Sequence, residues 1–272
     1  MFSVSRWFVC LALLPSLGWA AGSCERLVAT ASPDAPPYAW RDPADPGRLI
    51  GASVDVLHEV ATQLGLKISV VYAGRRSQAM DEVRTGRMDI LADAVLSTAD
   101  LEHFDYIYPP LAFNDYLVWS RQGASMSVGT LADLAGHPGL ISAKARLSPG
   151  FSNFATTHLD LHPAENLTRT LQQLMLGQAE YAIAPRYAGA AAVAALGLTG
   201  QLIPHELAVD RPGIHLALAQ DSACNDGWLR GQLSKKMTEL AASGGIQAIL
   251  QRNAERWKLQ QQAAAGAGAV KP

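Results

Sequence analysis

Two stretches of the chain, Glu82–Ala94 (EVRTGRMDILADA) and Gln173–Pro185 (QLMLGQAEYAIAP), follow one plan: a helix end, a Gly, two residues, a carboxylate, then an apolar run. This plan constrains the fold more than any other feature. A Gly closes a helix where a left-handed residue is needed, and an unbroken apolar run fits a strand covered on both faces. The surroundings repeat too. Ahead of the first copy, Val54, Leu57, Ala61 and Leu64 recur at helical spacing and Gly65 closes that helix. Lys67–Tyr72 then alternates as a strand, and Ser77–Thr85 forms a second helix through Ala79, Met80 and Val83. Ahead of the second copy, Thr130–Gly136 reads as a short helix leading into a strand at Gly139–Ser142. Leu167, Leu171, Leu174 and Met175 line one helix face. The fold class is α/β, with two open, mainly parallel sheets covered by helices.

The connections divide the chain. A first strand at Glu25–Ala31 runs into Ser32–Gly47, a loop with five prolines. Tyr116–Ser120 follows the Pro109-Pro110 turn and Ile214–Ala219 follows Pro212-Gly213; both read as short apolar strands. Two such crossings let a chain leave one lobe, build a second and return. Lobe 1 is expected at 24–113 plus 213–257 and lobe 2 at 114–212. Trp228–Trp257 reads as helix broken at Gly244-Gly245, and the tail 258–272, which lacks apolar periodicity, is expected to be disordered.

Residues 1–21 have the form of an export signal: Arg6 supplies a positive charge, Trp7–Leu17 is apolar, and Gly18-Trp19-Ala20-Ala21 supplies small residues for cleavage. The apolar run is too short to span a bilayer, which needs about 20 residues. Periplasmic localisation is expected, with a lipid anchor at Cys24 as the lesser option. Export removes Arg6 and Cys10, taking the formal charge from -2 to -3, so no basic footprint for nucleic acid remains. Cys24 and Cys224 then meet an oxidising compartment, where a disulfide is the natural pairing. Two separate thiols, or lipidation of Cys24, are the alternatives.

Six segments, in this order, carry a resemblance. Leu27–Trp40 is similar to a first strand and Pro-Pro-aromatic loop, Gly51–Gly65 to a G-x-x-x-D-(helix)-LG stretch, and Val83–Asp89 to an L-x-x-G-x-x-D signature. Asp105–Pro109 is similar to D-F/Y-x-x-P, Leu131–Gly136 to L-x-D-L-x-G, and Met237–Trp257 to a closing helix with a terminal Trp. Together they resemble the bacterial extracytoplasmic solute-binding proteins of family 3, the amino-acid-binding type. The resemblance implies a two-lobe periplasmic binding protein-like fold with two hinge strands and a ligand cleft between the lobes. It also implies a small polar ligand and an inner-membrane ABC permease or sensor as partner, with no cofactor.

The chain departs from that family where ligand is held. The family clamps a ligand carboxylate with Arg in a T-x-x-R turn; here the turn is Ser97-Thr98-Ala99-Asp100-Leu101, without Arg. The family's Asp for the ligand ammonium falls on Pro185. An ordinary α-amino acid is therefore not expected. Arg75 and Arg76 stand where the family has a stacking aromatic, and in open α/β sheets ligands sit beyond the carboxyl ends of strands. On that rule the candidate binding residues are Tyr38, Trp40, Arg75, Arg76, Asp93, Asp100, Arg146 and Arg186. A charged surface residue, a helix cap for Asp100, and loop packing for the aromatics are the competing roles.

Catalytic motifs are missing: there is no G-x-S-x-G elbow, phosphate loop, H-E-x-x-H or C-x-x-C. His158 and His162 are spaced for one helix face, but Pro163 closes the segment and no third ligand is evident, so no metal is expected. The expected molecule is a monomeric, non-catalytic binding protein. A periplasmic enzyme of the dehydratase kind on the same scaffold, or an interaction module without ligand, are the alternatives.

Overall fold

The computed structural model describes residues 24–268, so the export signal expected at 1–21 lies outside the described residues. The chain begins with β1 (Arg26–Thr30) and a small antiparallel sheet of β2 (Asp34–Ala35), β3 (Ala39–Arg41) and β4 (Leu49–Ile50). Next come α1 (Ala52–Gln63), β5 (Lys67–Val70), α2 (Arg76–Arg84), β6 (Ile90–Val95) and β7 (Phe104–Phe113). The middle holds β8 (Tyr116–Arg121), β9 (Pro138–Ser142), α3 (Pro149–His158), β10 (Asp160–Ala164), α4 (Leu167–Met175), β11 (Tyr181–Pro185), α5 (Arg186–Ala195) and β12 (Leu202–Asp210). β13 (Gly213–Ala219), α6 (Gly227–Ala242) and α7 (Gly245–Gly268) follow.

Two five-stranded sheets result, in the orders β5-β1-β6-β13-β7 and β10-β9-β11-β8-β12. Each has three parallel strands followed by antiparallel ones, and the two echoed segments, β6 and β11, take the same central place. Their apolar character, interrupted in β6 by Asp93, has the cause expected of it. Ile90 and Ala92 of β6 pack into the core on one face while Leu91 and Ala94 pack on the other. In β11, Ala182 and Ala184 face one core and Tyr181 and Ile183 the second.

The carboxylate of the echo ties neighbouring strands together in the first lobe: Asp89 accepts from the Val28 amide at 2.7 Å and from the Ser222 hydroxyl. In the second lobe its counterpart Glu180 bonds through its amide to Pro138 O at 2.9 Å and through Oε2 to His137 Nδ1 at 2.7 Å.

The chain passes between the sheets at Phe113–Tyr116 and at Asp210–Gly213. Gly213 pairs with Phe113 in the first sheet and Asp210 with Tyr116 in the second. Between those pairs the Asn114 amide donates to Pro212 O at 3.0 Å, so the two crossings lie side by side. Cys24 and Cys224 form a disulfide with a Cα–Cα distance of 5.3 Å, fastening the start of β1 to the segment before α6. Among the described residues, no helix is long and apolar enough to cross a membrane.

Several expectations need correction. Pro109-Pro110 is not a turn but part of β7, an edge strand where the missing amide donors disturb no inner ladder. The stretch Leu131–Leu134 is a single 3-10 turn. His158 and His162 do not share a helix, because His158 ends α3 and His162 lies in β10 beside Asp160. The tail expected to be disordered from Lys258 continues α7 to Gly268. Its Ala and Gln residues propagate a helix already nucleated upstream, which is far easier than starting one. Trp257 and Gln260 on that helix contact Trp40.

Candidate functional site

The strand ends of both sheets open onto one cavity of about 720 Å³. The first lobe contributes Asp34 and Tyr38 from the Pro-rich segment and Arg75, Arg76 and Met80 from the start of α2. The second lobe contributes Tyr116, Lys144, Arg146, Ile183, Pro185 and the first turn of α4.

Tyr38 is held from behind. Gly51, with φ of 134°, brings the start of α1 under the Pro-rich loop, so that the Ala52 and Ser53 amides donate to Pro37 O and Tyr38 O at 2.9 and 2.8 Å. A Cβ at position 51 would lie 2.3 Å from Tyr38 O, so a larger residue cannot stand there without moving the loop. The Tyr38 hydroxyl donates to Phe113 O at 3.0 Å, and its ring meets Tyr187 edge-on at 6.3 Å. Burial raises its pKa, and the neighbouring Tyr187 and Asp115 add to the effect.

Asp93, near the end of β6, is 1% exposed and lies beneath the cavity. Its Oδ1 accepts from the Ser32 amide at 3.0 Å, while Oδ2 has no hydrogen-bond partner among the described residues. That oxygen faces two guanidinium groups, Nη1 of Arg76 and Nη1 of Arg146, each at 3.6 Å. Arg76 is the first residue of α2 and also donates to Ser32 Oγ. Arg146 comes from the other lobe, donates to the Asp93 carbonyl at 3.2 Å, and is fixed at its amide by the Tyr116 hydroxyl at 2.8 Å. Burial, followed by the charge of Arg146, lowers the Arg76 pKa from 12.5 to about 10, with Asp93 opposing the change. Burial likewise raises the Tyr116 pKa.

Of the expected residues, Tyr38, Arg75, Arg76 and Arg146 therefore line the cavity, Arg75 on its exposed rim, and Asp93 meets it through the guanidinium groups of Arg76 and Arg146. Three stand elsewhere. Trp40 is 3% exposed beneath α7, where its Nε1 donates to Gln260 and its ring meets Trp257 edge-on at 5.5 Å. Asp100 ends a 3-10 turn that directs its carboxylate to Arg84 at the end of α2. Arg186 opens α5 and is drawn to Asp115 and Glu206, at 3.7 and 3.8 Å.

Sequence reasoning missed Asp34, Tyr116 and the turn Asn166–Thr168. Asn166 was legible as a helix cap ahead of an amphipathic run; its side chain accepts from the Arg169 amide at 2.9 Å. Tyr116 reads in sequence as an ordinary strand residue, because nothing local marks its hydroxyl as the anchor of a loop thirty residues on.

Comparison with known proteins agrees with this architecture. The GluR0 ligand-binding core in complex with L-glutamate is 20% identical, with a TM-score of 0.64 over 87% of this chain and 99% of its own. A histidine kinase sensor domain similar to periplasmic binding proteins is also 20% identical, with a TM-score of 0.64 over 84% and 96%. An arginine-bound amino acid ABC transporter substrate-binding protein from Streptococcus pneumoniae is 15% identical, with a TM-score of 0.62 over 85% and 95%. At these identities the likeness is one of fold, a two-lobe periplasmic binding protein architecture. No curated protein sequence matches. The profile of the bacterial extracellular solute-binding proteins, family 3, matches residues 27–255, more than half of the chain, and the chain belongs to that family.

Proposed function

We propose that the chain is an exported, monomeric binding protein that captures a small polar solute between its lobes, without turning it over, for ABC-type transport or for sensing in the periplasm. The observation that carries this reading is the cavity itself. Residues of both lobes line it, and its volume lies within the roughly 300–1,000 Å³ usual for small-molecule sites. Both lobes can then share one ligand, and the adjacent crossings at Asn114 and Pro212 supply a hinge about which they close. Transport and sensing both remain within the reading, since the similar structures include a transporter's binding protein and a kinase sensor domain.

The ligand is not held as an ordinary α-amino acid. Asp100, paired with Arg84, is the residue nearest the place of the family clamp's Arg, and Pro185 falls where the clamp has its Asp. Mass spectrometry of small molecules released on denaturing the purified protein is the test. A released compound that binds back one to one and raises the melting temperature is expected. A protein that carries nothing, and whose melting temperature no metabolite in a broad panel moves, would overturn the reading.

A further inference from the structure

We infer that the cleft is built for a small organic dianion, a dicarboxylate lacking an α-ammonium group, gripped between Arg76 of the first lobe and Arg146 of the second. The inference rests on the solute-binding reading and deepens it.

The cavity carries an excess of positive charge. Arg75, Arg76, Lys144 and Arg146 line the cavity, against Asp34 alone, with Asp93 beneath. Two positive charges are left over, which a dianion neutralises. A cationic ligand, or the ammonium of an amino acid, would meet the same excess as repulsion.

The two guanidinium groups also hold hydrogen-bond capacity in reserve. Arg76 spends Nη1 on Ser32 and Arg146 spends Nη1 on the Asp93 carbonyl. Among the described residues, Nε and Nη2 of both side chains meet no acceptor, although each side chain is only a quarter exposed or less, at 25% and 21%. A guanidinium edge left without acceptors in a sheltered place matches the two oxygens of a carboxylate.

Asp93 explains how two arginines stand together without ligand. Its buried Oδ2, which meets no hydrogen-bond donor among the described residues, lies at ion-pair distance from both and offsets part of their repulsion. Because Asp93 is already shared by two guanidinium groups and the Ser32 amide, it is not free to receive a ligand ammonium. The first turn of α4, Asn166–Thr168, borders the same cavity and adds the positive end of a helix dipole.

Shape separates organic from inorganic dianions. Met80, Ile183 and Pro185 give the cavity apolar wall as well as charge, and its volume far exceeds that of one tetrahedral oxoanion. A short carbon chain between two carboxylates uses both.

The test is isothermal titration of the ligand-stripped exported protein with succinate, glutarate, adipate, glutamate, arginine, putrescine and inorganic phosphate. The parent protein is compared with Arg76→Gln and Arg146→Gln. At least one dicarboxylate is expected to bind in the micromolar range, and each substitution to weaken it roughly 10- to 100-fold. Arg146 lies in a loop, so its variant keeps the test open should Arg76→Gln fold poorly. Thermal melts establish which variants are folded. Tighter binding of glutamate, arginine or putrescine than of every dicarboxylate would overturn the dianion assignment while leaving the solute-binding reading standing. Phosphate binding as tight as the best dicarboxylate would overturn its organic part. Should no probe bind, the mass of a compound released from the protein decides: two acidic groups without an amine uphold the assignment, and any other composition overturns it. No binding and no released compound would overturn the solute-binding reading as well.

Discussion

Arg146 of the second lobe donates from Nη1 to the main-chain carbonyl of Asp93 in the first, at 3.2 Å. One side chain thus reads the position of the opposite sheet directly at its strand end. Asp93 answers with a carboxylate oxygen placed 3.6 Å from that guanidinium, so the contact combines a hydrogen bond with an ion pair.

Asp93→Asn separates these contributions. The amide oxygen can still accept from Ser32, but the counter-charge between Arg76 and Arg146 is gone. Without ligand the variant is expected to lose about 1–2 kcal/mol, below the range for a fully buried broken pair because both arginines keep some solvent. With a dianion present the loss is expected to shrink, since the ligand replaces the missing charge. Urea denaturation with and without ligand measures both, and an equal loss in the two conditions would refute the proposed role.

Gly51→Ala tests how Tyr38 is placed. The added methyl would lie 2.3 Å from Tyr38 O in a backbone region that L residues rarely adopt. A loss of roughly 2–3 kcal/mol is expected, together with weaker ligand binding as the Pro-rich loop shifts. Unchanged affinity in a folded variant would remove Tyr38 from the binding surface.

The strands were legible because burial on two faces leaves a plain mark: β6 and β11 carry hardly any polar side chain, and Gly86 and Gly177 announce them. β10 was not legible, since an edge strand tolerates Pro163 and two outward polar residues that read as a helix end. A rule about strand ends, which needs only local pattern, points to Arg76, Asp93 and Arg146, and the structure brings these three side chains together. Trp40, Asp100 and Arg186 were misplaced by the same rule, because their partners Gln260, Arg84 and Asp115 come from segments whose approach no local pattern encodes.

Removing residues 258–272 tests the unexpected end of α7. Trp40 Nε1 loses its Gln260 acceptor while Trp257 stays, so about 1 kcal/mol of stability should go. Tryptophan emission should shift to the red as water reaches the indole. An unchanged spectrum and melting temperature would mean that this turn of helix does not cover Trp40 in solution.

His215 is expected to make the fold sensitive to acid. It is 4% exposed in β13, with Nδ1 3.1 Å from Ile107 O and the rings of Tyr106 and Tyr108 on its flanks at 5.8 and 4.7 Å. Burial lowers its pKa from 6.5, against the opposing pull of the Ile107 carbonyl. Below pH 6.5 the unfolded chain therefore binds a proton that the folded chain refuses, and stability falls as pH falls toward the lowered value. The slope from this one group cannot exceed about 1.4 kcal/mol per pH unit. His215→Gln should flatten the stability profile between pH 6.5 and 5, and an identical profile would show that His215 titrates normally.

The Cys24–Cys224 disulfide closes a loop with a sequence separation of 200, enclosing the whole second lobe. In the chain-entropy account a loop of that size restricts the unfolded state enough to stabilise the fold by roughly 5 kcal/mol, less whatever structure the reduced unfolded chain retains. The bond also joins the entry to β1 to the approach to α6, where Cys224 is part of the first lobe's core. Replacing both cysteines with serine should therefore lower the first lobe's stability directly, and the second lobe's only through the hinge. Hydrogen exchange read separately over residues 26–113 and 116–210 distinguishes these effects. Equal loss of protection in both lobes would show that they unfold as one unit, with the disulfide acting on the whole chain.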